Sequence, residues 1–186
     1  MSFLDNLTAD QKDLLISLPY RVGLYVSQSD TSGGDSSDEE EAQALSALLN
    51  GYAQEIFGAE TVQYIISETV RREDLWPEWG GKLDTIEEDC RDAIDILHDH
   101  VDEKEVSAFK NHLMEIGESV ALAFREYGED TPLLDRIKIF LIYFSGKMQA
   151  MRSNLPYKSY NEFLNISLDE RSALLKLAGA LNVRYL

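Results

Sequence analysis

An all-α fold is what this chain predicts, and three observations carry that prediction. Apolar residues recur at helical spacing through seven segments, from Leu14, Leu15 and Leu18 near the start to Leu174, Leu177 and Leu181 near the end. Capping-box pairs (Thr8 with Gln11, Thr85 with Glu88, Ser167 with Glu170) stand at the head of three of them. No stretch alternates polar and apolar residues with the period of two that a half-buried strand needs. The expectation is a compact bundle of about seven helices forming a single domain over residues 1–186.

The first helix opens at Thr8, and Pro19 either kinks it or begins a second helix at its first turn. Helical spacing continues through Val22, Tyr25 and Val26 up to Asp30. From Ser29 to Ser37 the Ser, Gly and Asp content predicts a loop. Ser37 or Asp38 then caps a helix whose first turn holds Glu39, Glu40 and Glu41, where the macrodipole favours negative charge. Ala42, Leu45, Leu48, Leu49, Tyr52 and Ile56 form its stripe, and Gly58 ends it. A third helix is expected over 60–72, with Val62, Ile65, Ile66 and Val70 buried.

Next comes Leu-Trp-Pro-Glu-Trp-Gly-Gly, inside a Trp/Gly/Pro loop expected over 74–84. Its tryptophans either pin the loop to the core or present an exposed recognition spot. A helix from Thr85 carries Ile86, Cys90, Ala93, Ile94 and Leu97, and gives out near His98-Asp99-His100. Val106, Phe109, Leu113, Ile116, Val120 and Phe124 mark the fifth, which stops at Gly128. Thr131-Pro132 caps a long sixth helix that ends before Pro156, and Ser167 caps the last.

Composition narrows the function classes. Lys plus Arg is 17 against 34 for Asp plus Glu, a net charge of −17. Phosphate binding needs a basic patch and none is visible, so nucleic acid and anionic membrane surfaces are disfavoured partners. The longest strongly apolar run, Ile139 to Phe144, is too short to span a bilayer. Met1 to Thr8 lacks the basic and apolar regions of a signal peptide, so the cytoplasm is the expected compartment. Cys90 is the lone cysteine, which leaves neither an intramolecular disulfide nor a Cys-based zinc site. It falls on an apolar stripe, where an inert buried thiol is expected.

The strongest chemical signal is acidic. Between Arg21 and Arg71 there is no Lys or Arg, yet Asp30, Asp35, Asp38, Glu39, Glu40, Glu41, Glu55, Glu60 and Glu68 all lie there. Such a field attracts cations. Set against a twelve-residue calcium loop, Asp30 takes position 1, Ser32 position 3, the Ser36 carbonyl position 7, Asp38 position 9 and Glu41 the bidentate position 12. Gly34 at position 5 offers no side-chain oxygen, and Asp35 stands where the motif wants glycine. That spacing fits a looser oxygen-ligand site for Ca²⁺ or Mg²⁺ rather than an EF-hand, with a solvated acidic helix start as the alternative. A Glu-x-x-His pair for a di-iron bundle is missing, because Asp95 precedes His98 and Phe109 precedes His112 at that spacing. The His-Asp-His run reads as an exposed cap. No hydrolase nucleophile motif, phosphate-binding glycine loop or dinucleotide fingerprint occurs, so nothing points to an organic cofactor or to catalysis.

Two stretches resemble the tellurite-resistance TerB family. One is Val-Gly-Leu-Tyr-Val-Ser-Gln-Ser-Asp followed by Ser-Ser-Asp-Glu-Glu-Glu-Ala-Gln-Ala-Leu-Ser-Ala-Leu-Leu. The other, Ile-Ser-Leu-Asp-Glu-Arg-Ser-Ala-Leu-Leu-Lys-Leu-Ala-Gly-Ala-Leu-Asn-Val, looks like a second copy of the acidic helix start, with Glu170 matching Glu41. The likeness covers about a third of the chain. Its first loop is longer than the family's short Asp-Gly turn, and no Asp-Gly precedes Ser167. The resemblance implies a compact helical module with an acidic, divalent-metal-binding surface, acting in stress response or as a signalling or scaffold protein. It adds Asp169 and Glu170 to the metal candidates Asp30, Ser32, Asp35, Asp38 and Glu41. Two other readings stand beside it. One is a metal-dependent enzyme using clustered carboxylates. The other is a metal-free scaffold that meets a protein partner through Trp76, Trp79 and Tyr157.

Overall fold

Residues 3–29, 38–54, 59–123, 144, 147 and 168–185 are described by the computed structural model. Among them there is no strand, and seven α-helices follow one another: α1 (Ala9–Ser27), α2 (Asp38–Gln54), α3 (Glu60–Arg71), α4 (Trp76–Gly80), α5 (Ile86–His100), α6 (Glu103–Ala123) and α7 (Leu168–Leu181). Two 3₁₀ turns, Phe3–Asn6 and Glu73–Leu75, precede α1 and α4. The count agrees with expectation, but the membership differs. α4 lies where a loop was expected, while the expected helix over 131–155 falls outside the described residues apart from Phe144 and Lys147, which are helical.

α1 is the axis of the bundle and packs against all six other helices. From Leu15 through Gly23 every residue is buried, so this stretch has no solvent face. A helix enclosed on all sides is built this way, without a polar stripe. Thr8 and Gln11 form the expected capping box, with Thr8 N–H donating to Gln11 Oε1 at 2.9 Å and Gln11 N–H to Thr8 Oγ1 at 3.2 Å. Pro19 neither ends the helix nor starts a new one, and α1 runs straight through it. Just before the proline, Ile16 lends its carbonyl to the Thr69 hydroxyl of α3 at 2.6 Å. Gly23 is a contact requirement: a Cβ there would collide with Leu45 of α2 and touch Ile116 of α6.

Two side chains and one backbone turn cap helices in ways sequence spacing did not indicate. Glu105 of α6 reaches across to accept from Thr61 N–H at 2.9 Å, satisfying a free amide at the start of α3, whose N-cap Ala59 has no acceptor. Asp102 accepts from Glu105 N–H at 3.0 Å and so heads α6. At the end of α7, Asn182 takes a left-handed φ of 51°, and Val183 N–H bonds back to Ala178 O at 3.0 Å. That pairing is a Schellman stop, and it brings the terminal residues back toward the bundle.

The 75–81 stretch is a short helix pressed inward. Pro77 sits in its first turn, where a missing N–H costs nothing. Trp76 stacks on Tyr20 with ring centroids 4.6 Å apart, and its indole N–H donates to Thr69 O at 3.0 Å. Trp79 is 1% exposed and Trp76 8%, so the aromatic patch expected of a scaffold does not form from them. Burying two large indoles gains far more than solvating them. Tyr157, the third member of that patch, lies outside the described residues.

Arg21 is buried within the enclosed stretch of α1 at 3% exposure, and it joins three parts of the fold. Its Nη2 donates to Lys82 O in the turn after α4, to Thr85 Oγ1 at 3.3 Å, and to Asp89 Oδ2 in α5. Thr85 in turn donates to the same Asp89 oxygen at 2.7 Å. The Thr85 and Glu88 capping box therefore does not form: Thr85 makes no cap hydrogen bond, because its hydroxyl serves the buried ion pair. Removing one partner of such a pair strands the other. Arg21→Met should cost about 3 kcal/mol, at the low end for a buried pair because Asp89 keeps some solvent contact. Urea unfolding followed by circular dichroism measures this. Arg21→Met/Asp89→Asn should lose less than the sum of the single changes, and strict additivity would mean that the contact is not energetically coupled.

Candidate functional site

The acidic segment is held between two packed helices. α1 ends at Ser27 and α2 begins at Asp38, with their bodies in contact. Asp30, Ser32 and Asp35 lie outside the described residues. Asp38 and Glu41 are both in the first turn of α2, where their backbone is helical.

The arginines that bracket this segment in the sequence are engaged elsewhere. Arg21 faces the core and holds Asp89. Arg71 and Arg72 both reach back to Glu68, at 3.2 and 3.3 Å. Glu68 is thereby neutralised, and it is buried. Among the described residues these three arginines pair with Asp89 and Glu68.

Asp169 and Glu170 are placed differently from each other. Asp169 is exposed, whereas Glu170 is buried at 4% in the first turn of α7. Neighbours on a helix point about 100° apart, so these two carboxylates face different surroundings. Among the described residues no group of three or more His, Cys, Asp or Glu side chains is placed to hold a metal ion.

A groove of about 590 Å³ opens at the C-terminal end of α1 and includes Tyr25, Gln28 and Ser29. Ser29 is the chain neighbour of Asp30. Glu88, Arg91 and Lys176 stand around it with charges of both signs, and Arg91 is held by Glu87 at 3.5 Å.

A second polar region, which no sequence motif announced, lies along α6. Tyr52 of α2 is fully enclosed, and its oxygen is 2.7 Å from Ser119 Oγ. Ser119 donates to the Glu115 carbonyl, which the Tyr52 hydroxyl also approaches at 3.4 Å. Burial, reinforced by the Glu115 and Glu118 carboxylates, pushes the Tyr52 hydroxyl well above its ordinary pKa. The ring meets His112 and Phe144 edge-on, at centroid distances of 4.8 and 4.7 Å. His112 Nδ1 lies 3.6 Å from Glu115 Oε2, a long contact, and the imidazole is enclosed. On the α7 side, burial and then Glu118 push Tyr185 up to about 12, with Glu170 adding to it and Arg171 opposing. This seam is the clearest cluster of perturbed groups in the described fold, and Glu170 enters it from the metal candidates.

The remaining histidines act as helix-end groups. His98 Nδ1 approaches Glu103 Oε2 at 3.2 Å, and His100 Nδ1 meets the Ile96 carbonyl at 2.8 Å. Cys90 is sealed in the core, and burial pushes its thiol up to about 12. Thiolate chemistry is closed to it at neutral pH. Ellman's reagent should therefore leave Cys90 unlabelled in the native chain and react with one thiol per chain in denaturant. Rapid native labelling would contradict the packing.

Glu118 gives the seam a pH signature. Burial raises its pKa, Glu115 adds to the rise, and Lys147 opposes it. The folded chain thus holds this proton more tightly than the unfolded one. As pH rises from the ordinary carboxylate range through the raised folded value, the unfolded state loses its proton first and native stability falls. Glu118→Gln removes that penalty. Its melting temperature should exceed wild type at neutral pH, and the gap should close as pH falls toward 4.5, the unperturbed value. A gap that is constant with pH, or reversed, would show that the burial cost of Glu118 is already offset.

Searches of protein-family models, curated proteins and solved structures return no match, so the functional reading rests on the chemistry of this chain's own residues.

Proposed function

We propose that this chain is a TerB-like acidic helical module that binds a divalent cation, Ca²⁺ or Mg²⁺, through the segment 30–41. It would act in stress response or as a cytoplasmic signalling or scaffold protein rather than as an enzyme. One observation carries the reading: the arginines nearest the acidic segment are spent on Asp89 and Glu68. Mutual repulsion among its carboxylates is left for a mobile cation to relieve. The ligands are Asp30, Ser32, Asp35, Asp38 and Glu41, which offer the hard oxygen donors these ions need. The all-helical fold and the acidic first turns of α2 and α7 agree with the TerB-like reading. No helix among the described residues is long and apolar enough to cross a membrane.

A second reading keeps the metal but adds chemistry. The groove that includes Ser29 is the kind of concavity that a metal-dependent enzyme would need. It requires metal-dependent turnover, for example of p-nitrophenyl phosphate, that Glu41→Gln abolishes. Lack of turnover with Ca²⁺, Mg²⁺ or Mn²⁺ leaves the binding module.

The module reading predicts a stability effect. A cation that binds only the folded chain at about a hundred times Kd adds roughly 2.7 kcal/mol. At roughly 2–4 °C per kcal/mol, the melting temperature should rise by about 5–10 °C. NaCl at matched ionic strength separates this from general screening. Asp30→Asn/Glu41→Gln should abolish the metal-specific part and leave the salt response intact. If millimolar Ca²⁺ and Mg²⁺ do no more than NaCl, or the double variant responds like wild type, the segment is a solvated helix start.

A further inference from the structure

A groove of about 380 Å³ lies between the first turns of α1 and the second half of α5. Leu14 and Ile96 are half-buried within it, and both pack on the core from their inner sides. Asp10, Asp92 and Asp95 form its exposed rim. None of these three carboxylates has an ion-pair partner among the described residues.

The rim belongs to a longer row. Glu88, Asp92, Asp95 and Asp99 are all exposed, and their spacing of four, three and four residues puts them along one face of α5. Eleven residues of helix extend about 16 Å. Like charges at this spacing destabilise a helix, so α5 carries a repulsion that its own residues do not relieve. Its one Lys or Arg, Arg91, is taken by Glu87.

We infer that the α1–α5 groove docks a basic amphipathic segment of a partner protein, with Lys or Arg side chains along the α5 row and one apolar side chain between Leu14 and Ile96. Charge complementarity selects this occupant. A single metal ion needs its ligands converging within about 2.6 Å, whereas these carboxylates are strung along a helix. Nucleic acid is repelled by the same row. A second copy docked symmetrically would set acid against acid. The apolar slot then distinguishes a folded basic segment from diffuse polycations, since only an amphipathic partner fills both. The Leu14–Ile96 slot lies toward the start of α1, whereas the proposed cation segment leaves from the end of that nineteen-residue helix, and of the row only Glu88 reaches the groove beside Ser29.

The test uses the full chain and a fluorescein-labelled helical peptide with Lys at positions spaced four, three and four residues apart and one Leu on the adjoining face. Anisotropy titration at 0.15 M NaCl should give saturable binding. Exchanging the peptide's Leu for Ser should weaken it at least tenfold. Asp92→Asn/Asp95→Asn should weaken it at least tenfold as well. Glu73→Gln/Asp74→Asn, an equal change of charge on exposed residues elsewhere, should change it less than twofold. Circular dichroism checks that both variants are folded. Amide shifts on peptide addition should concentrate at residues 10–14 and 92–96. Absence of saturable binding, equal weakening by the two double variants, or shifts centred elsewhere would overturn the proposal.

Discussion

The fold depends on keeping one charge out of water. Arg21 lies in the stretch of α1 that has no solvent face, so its guanidinium cannot reach the surface. An unpaired ion there would cost several kcal/mol, and the surroundings are arranged to prevent it. Asp89 supplies the countercharge, the Lys82 carbonyl takes another donor direction, and Thr85 bridges cation and anion. All three contacts come from one guanidinium nitrogen, Nη2, which the Lys82 carbonyl, Thr85 and Asp89 share. The consequence reaches beyond local packing. The turn from Gly81 to Thr85 is fixed because its carbonyl and hydroxyl are both in use, and that turn sets where α5 begins.

Around that constraint the helices divide by how much of their pattern can be read locally. α3 and α5 have buried faces at the expected positions, Val62, Ile65 and Ile66 in one and Ile86, Cys90, Ala93, Ile94 and Leu97 in the other. The Thr8 and Gln11 capping box was legible because both partners are three residues apart and solvent-facing. The Thr85 and Glu88 pair had the same spelling and failed, since a buried arginine 64 residues away claims the hydroxyl. α4 was misread as loop because Pro and paired Gly suggest irregular chain, while five residues give periodicity nothing to show. What decides it is Tyr20, a ring from another helix stacked on Trp76.

The polar groups inside the bundle were the least legible part. Glu118 gave no sequence signal, because a charged residue on a helix reads as surface until its neighbours are known. Glu170 stood among the metal candidates as half of an acidic helix start. In the fold it is enclosed, and its charge is felt by Tyr185. The one route from sequence to this seam was the spacing of Tyr52, His112 and Ser119 on stripes otherwise apolar. Each is the sort of residue that a core accepts when its polar atom finds a partner.

Charge is arranged by the same logic at the scale of the whole chain. With twice as many acids as bases, at least half of the carboxylates cannot be paired one to one, and the buried ones need a partner most because desolvation is costly there. Arg21 serves the Asp89 site, and Arg71 with Arg72 serve buried Glu68. Arg21 is withdrawn from the outside, while Arg71 and Arg72 keep solvent contact and turn their guanidinium groups to Glu68. The surplus of acids is not spread evenly. In the sequence it gathers between α1 and α2, and in the fold along the exposed row of α5. A short segment rich in oxygen donors can converge on one small ion, while a row fixed on a rigid helix can only match a row of opposite charges. Enclosing α1 thus bears on binding as well as on packing: Arg21, held inside with Asp89, is unavailable to quench the surface, and what the surface attracts follows from how its carboxylates are spaced.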